Sequence, residues 1–372
     1  MKRIIPYHIF EDLSQDQLEY LKDIIRKFPH KEGDVHIKKL SRMMSQMDEE
    51  FLEMKKILDV CVDGKWSLDE SGKINVEGNF KYKGIDYEKK DFSFGKISGD
   101  FDVSYVGIRK LEGMPYEVGG NFNISGNKVG NLIGGPKKVG GEYIAYSCGL
   151  KSLEGCPTRL KTLYVRNNEL ESLKYGPEII EEDMKLDNNE LKNLKYSPQE
   201  VGGEFNVDGN QLESLEGCPK KIGKILGLRN NKIKSLDGIT PDMGDGKGDF
   251  GTYRLNNNKI KNLIGLPEEF KGSIWLTDNP LESLEGITEN VGYISWNEGN
   301  NGFYTVGRKG LSTAKKAGSY LSYTVDKNSD EVNELIEDDL DMVENMDPLF
   351  YTDWYKPSEA ASAIHNGFKK GI

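Results

Sequence analysis

The side chains best equipped for metal ligation or nucleophilic chemistry are four cysteines (Cys61, Cys148, Cys156, Cys218) and four histidines (His8, His30, His36, His365). A structural zinc site draws on closely spaced pairs of such residues, and a zinc hydrolase on His-Glu-x-x-His. Neither pattern occurs here. The stretch Gly246-Lys-Gly-Asp-Phe-Gly251 spells out Gly-x-Gly-x-x-Gly. A dinucleotide fingerprint must follow a strand and open a helix. The residues after it, Thr252-Tyr-Arg-Leu255, instead read as a strand, so the match is rejected. Asp242, Asp245 and Asp249 could offer carboxylate oxygens to a hard cation, but they miss the EF-hand spacing and read as a polar loop. No nucleophile elbow and no phosphate-binding loop is found. No catalytic residue, no cofactor and no metal is therefore assigned.

A different set of polar residues is periodic. Asn127, Asn168, Asn189, Asn210, Asn231, Asn258 and Asn279 occupy one column of a repeat, and Cys148 takes that column in its own unit. A buried amide that both donates and accepts can satisfy turn backbone pointing inward, so the column predicts a structural ladder and not a set of catalytic amides. The unit itself is seen in Leu153-Glu-Gly-Cys-Pro157 and restarts at Leu111, Leu132, Leu153, Leu173, Leu194, Leu215, Leu236, Leu263 and Leu284. The spacings are 21, 21, 20, 21, 21, 21, 27 and 21 residues, so the 27 marks a six-residue insertion.

The second half of each unit alternates with period two, as in Leu160, Leu163, Val165, Asn168 and Leu170. Such alternation predicts a short, half-buried strand. One strand cannot bury its inner face alone, but stacked neighbours about 4.8 Å apart can, and a curved solenoid results. The outward strand positions run Ile144, Tyr146, Tyr164, Arg166, Asp187, Asp208, Arg229, Arg254 and Trp275. Tyr, Trp and Arg combine area, few rotors and a polar tip, the properties of binding hot spots. Ile144, Tyr146, Tyr164, Arg166, Arg229, Arg254 and Trp275 are therefore the candidate partner-binding residues. Cross-strand packing of the aromatics is the alternative.

With these residues in view, the chain resembles the leucine-rich repeat proteins of the short bacterial type over roughly 97–300, and Leu153 to Ser172 carries the likeness nearly position by position. Most other units hold one extra residue, often in Val-Gly-Gly, as at Val118-Gly119-Gly120 and Val201-Gly202-Gly203. The Ser-Leu-Glu-Gly-Cys-Pro and Val-Gly-Gly style is also similar to repeat proteins of tailed bacteriophages. The resemblance implies an α/β repeat fold: a curved leucine-rich repeat solenoid with a parallel β-sheet on its concave face and helical caps at both ends. It implies a non-enzymatic protein-binding module. A virion or host-interaction structural protein, or an enzyme with its site in a terminal segment, are the alternatives.

The regions follow. Residues 1–64 are a helical N-terminal region, with helices over Ser14 to Phe28 and about Ser41 to Val60. Residues 65–110 form a β-rich cap and an atypical first repeat, in which Val106 replaces the ladder asparagine. Residues 111–300 are the leucine-rich repeats, and 301–372 a C-terminal helical cap or tail. Within that tail Asp330 to Asp347 holds nine acidic residues and no base, with apolar residues at helical spacing. The net charge of −11 argues against a nucleic-acid partner, and no apolar run is long enough to span a membrane. Pro6, Tyr7 and His8 interrupt any signal-peptide core, so a cytoplasmic protein is expected, in the host cytoplasm or the virion if it is viral. The cysteines are expected to be free thiols: Cys156 and Cys218 are three repeats apart, about 14 Å, well beyond disulfide reach.

Overall fold

The computed structural model describes residues 51–84, 92–244, 246, 250–282, 285–287, 291–297 and 303–307. The helices expected before residue 51 and after residue 307 lie outside the described residues, as do Asp245 and Asp249. The chain divides into two compact units, residues 1–129 with 133–144, and residues 130–132 with 145–372. Each is built of parallel β-solenoid turns with little helix.

In the first unit, a helix over 51–61 overlaps the one expected at 41–60, and it buries Leu58 and Cys61. It runs directly into the strand Val62–Leu68, which pairs antiparallel with Ile74–Lys81. The second of these strands is eight residues long. Its length lets it start two parallel ladders. Ile74 and Val76 pair with Phe94 and Ile97, and Phe80 pairs with Phe101. One ladder continues through Phe94–Ile97, Glu117–Val118 and Lys138–Val139. The other continues through Phe101–Asp102, Phe122–Asn123 and Glu142–Ile144. The core between them is aromatic. Phe80 stacks on Phe101 at 5.1 Å, Phe101 on Phe122 at 5.7 Å, and Phe122 meets Tyr143 at 4.9 Å.

The second unit repeats the same two-strand turn. Thr162–Tyr164, Met184–Lys185, Glu204–Asn206, Ile225–Gly227, Thr252–Arg254, Ser273–Trp275 and Tyr293–Asn297 form one ladder, closed by an antiparallel strand, Phe303–Gly307. Those from Thr162–Tyr164 to Ser273–Trp275 are the strands that the period-two pattern predicts. A second, five-stranded parallel sheet was not legible there. It comprises Arg159–Leu160, Ile179–Ile180, Glu200–Val201, Lys221–Ile222 and Asp242–Met243. Leucines, isoleucines and valines from both sheets meet between them, among them Leu160, Leu163, Val165, Val201, Leu226 and Leu228, all fully or nearly fully buried.

Two corners of the turn explain the glycines. Between its two strands the chain bends sharply at Val-Gly-Gly. A Cβ on Gly202 would run into the Glu181 carbonyl of the preceding turn, and one on Gly223 into that of Gly202. Stacked backbones approach too closely there for a side chain. The other corner is Leu-x-Gly-x, where Cys156 N donates to Leu153 O at 2.9 Å and Cys218 N to Leu215 O at 3.0 Å. The third residue has positive φ, 99° at Gly155 and 87° at Gly217, as a type II turn requires.

The asparagine column is a buried ladder. Asn168 Oδ1 accepts from Cys148 N (2.8 Å) and Leu150 N (3.0 Å), and its Nδ2 donates to Ala145 O and Val165 O. Asn189, Asn210, Asn231, Asn258 and Asn279 repeat this, each accepting from a backbone amide of the preceding turn. In the first unit Asn127 serves Val106 N and Ile108 N, so the atypical turn that lacks its own asparagine is still capped by the next. Cys148 is fully buried in the column, as read from sequence. A second ladder went unread. Asn79, Asp100, Asn121 and Asp183 each accept, through Oδ1, a backbone amide of the following turn. All four cysteines are free.

Candidate functional site

The outer face of the second unit's longer sheet holds six of the seven expected partner-binding residues. Ile144 belongs to the first unit, where it is half-buried and pairs with Asn123. In the second unit the strand register fixes two outward columns. Tyr164, Lys185, Asn206, Gly227, Arg254 and Trp275 occupy one. Two residues further along each strand come Arg166, Asp187, Asp208, Arg229 and Asn256, with Tyr146 one turn earlier.

These side chains engage one another. Tyr146 and Tyr164 stack with centroids 6.2 Å apart, and the Arg166 guanidinium lies 6.0 Å from the Tyr146 ring. Arg254 covers Trp275 at 5.9 Å. Two residues that the outward pattern did not single out join these groups. The Lys185 ammonium lies 5.5 Å over the Tyr164 ring and 3.0 Å from Glu204, and Glu204 in turn lies 3.7 Å from Arg254. Tyr146, Tyr164, Lys185, Glu204, Arg254 and Trp275 thus form one connected strip. Lys185 shares the register of Tyr164, and Glu204 sits two residues before Asn206, so period and register together were the signal for them.

Asp187 and Asp208 point outward as read, yet they are only 5% and 8% exposed. Neighbouring arginines fold over them: Arg166 Nε reaches Asp187 at 2.7 Å, and Arg229 Nε reaches Asp208 at 2.9 Å. The hydrogen bond to Asp187 holds the Arg166 guanidinium above its ordinary pKa. Asp208 shows the other side of burial. Desolvation raises its carboxyl above the usual range despite the opposing pull of Arg229. Among the described residues, Asp187 Oδ1, Arg254 Nε and Asn256 Oδ1 are buried polar atoms of this face without a hydrogen-bond partner.

Elsewhere the chemistry is quiet. Cys218 lies 3.1 Å from Thr240 Oγ1, and burial pushes its thiol up to about 11. Tyr253, stacked on Phe270 at 4.1 Å, donates its hydroxyl proton to Thr240 O, and burial raises it further. Thr252–Arg254 is a strand, so the glycine pattern before it does not open a helix. No group of three metal-ligating side chains occurs among the described residues, and no described helix is long and apolar enough to cross a membrane. No known family model matches the chain, and no curated protein is significantly similar to it.

Proposed function

We propose that the second unit is a non-catalytic recognition module of the leucine-rich repeat type, and that its longer sheet binds a protein partner on the inner curve of the solenoid. The observation that carries this reading is the connected strip of Tyr146, Tyr164, Lys185, Glu204, Arg254 and Trp275 on an otherwise regular sheet face. Half-buried aromatics with cations held against them are preorganised, so little rotamer entropy is lost when a partner docks. The three polar atoms without a protein partner support the same reading, because buried polar groups in finished interfaces are satisfied. The 20–21-residue period and the buried asparagine column support the leucine-rich repeat assignment.

The test is a capture experiment from the source cell with intact and substituted faces. Tyr164→Ala and Trp275→Ala should each weaken binding of the captured partner by more than about 1 kcal/mol while barely moving the melting temperature. Loss of stability with binding retained would make the strip cross-strand packing and would defeat the proposal.

A further inference from the structure

Seven of the nine Leu-x-Gly-x corners carry glycine at the third position, each with φ between 80° and 99°. The two exceptions are consecutive turns of the second unit, where Tyr175 (φ 67°) and Tyr196 (φ 70°) take the glycine's place. The backbone has not changed to suit them: Gly176 N still donates to Leu173 O at 3.0 Å and Ser197 N to Leu194 O at 3.1 Å. An aromatic L-residue is strained in this left-handed conformation. Burial does not offset that strain, since the two tyrosines are 54% and 64% exposed. Strained residues that are largely exposed cluster where a chain makes contacts with something else.

The residue before each tyrosine changes as well. Along the same column of the second unit stand Glu154, Lys174, Lys195, Glu216, Asp237, Ile264 and Glu285. The sign of the charge reverses at the two tyrosine turns and nowhere else in that run. The Lys174 ammonium rests 4.8 Å over the Tyr175 ring, and Lys195 pairs with Glu216 at 3.1 Å. The second unit thus presents a small basic and aromatic patch, two turns tall, bounded by Glu154 on one side and Glu216 on the other.

We propose that Lys174, Tyr175, Lys195 and Tyr196 form a second contact site, separate from the sheet face, that takes a short acidic segment of a partner protein. Its carboxylates meet the two ammonium groups, and its apolar side chains lie on the tyrosine rings. The flanking acids set the length: a polyanion continuing past two turns meets Glu154 or Glu216, which disfavours a nucleic-acid strand. The site does not depend on the strip of Tyr164 and Trp275, so either can fail without the other.

The probe is a random glutamate–tyrosine copolymer, with a lysine–tyrosine copolymer and an oligothymidylate as comparisons, titrated against the full chain at low and moderate salt. The glutamate–tyrosine copolymer should bind best, and salt should weaken it. Lys174→Glu with Lys195→Glu should weaken it by roughly tenfold or more. Tyr175→Gly with Tyr196→Gly should also weaken it while raising the melting temperature, because glycine relieves the left-handed strain. That opposite movement of affinity and stability keeps the test decisive even if the charge-reversed variant folds poorly. The proposal is overturned if the copolymer does not bind, if oligothymidylate binds better, or if the glycine variant melts lower than the parent.

Discussion

Replacing Asn210 by alanine removes the amide that links two turns, and the structure says which groups are left stranded. Leu191 N loses its acceptor, Asn210 Oδ1, at 3.0 Å. The carbonyls that Asn210 served are each served twice. Leu186 O keeps Asn189 Nδ2 at 2.9 Å, and Val207 O keeps Asn231 Nδ2 at 3.1 Å. The variant therefore strands one buried donor, which costs about 1–3 kcal/mol. The space left by the deleted amide adds about 1 kcal/mol. With a urea slope of about 2 kcal/mol per molar, the total of about 2–4 kcal/mol moves the unfolding midpoint by about 1–2 M. Asn231→Ala should behave alike, since it strands Leu212 N and leaves Val207 O with Asn210. The double variant is the sharper test. It takes both donors from Val207 O, so its loss should exceed the sum of the singles by about 1 kcal/mol. Urea unfolding followed by far-UV circular dichroism measures all three. Simple additivity, or a single-variant shift below about 0.3 M, would refute the ladder arithmetic.

Thiol titration of the native protein at pH 8 should find Cys218 slow to react, since its thiol is pushed up to about 11, and titration after unfolding without reductant should find four thiols; two would mean a disulfide. Gly223→Ala drives a Cβ into the Gly202 carbonyl, so its melting temperature should fall, by an amount set by about 1–3 kcal/mol of overpacking; an unchanged value would show that the corner can open. Asp208 is raised in the folded state, so its ionisation opposes folding at neutral pH, and that penalty fades as pH falls through the folded pKa towards the unfolded one. The stability of the parent relative to Asp208→Asn should therefore rise on acidification from pH 7, and a fall would place the carboxyl in an environment that favours its charge.

The repeat made much of the fold legible. Residues such as Leu163, Val165 and Asn168 stand at fixed offsets in turn after turn, and period two told inside from outside. The second sheet escaped because each of its strands is two residues long, too short to show alternation, and one of the two lies exposed, as in Arg159–Leu160. At the ends, helical spacing pointed to helices, and the helix over 51–61 accords with it. The antiparallel strands Val62–Leu68 and Phe303–Gly307, which pair with the first and last strands of the described ladder, left no such periodic signal. On the sheet face the columns were read correctly, but the burial of Asp187 and Asp208 was not. An outward position says nothing about whether a neighbour's long arginine will fold across it. Tyr175 and Tyr196 were visible as departures from a glycine column, yet only the retained positive φ shows that they are strained.

The buried ladder also has a direction. Each asparagine from Asn168 to Asn279 takes its hydrogen bond from the turn made before it, never from the turn made after. A turn leaving the ribosome therefore finds its acceptor's partner already in place, and the array can be completed one unit at a time in the order of synthesis. Shortening is correspondingly lopsided. A chain cut back by its last whole turn leaves an amide of the turn before, such as Ile260 N, without its asparagine acceptor. One that begins a turn late exposes an asparagine oxygen whose amide no longer exists.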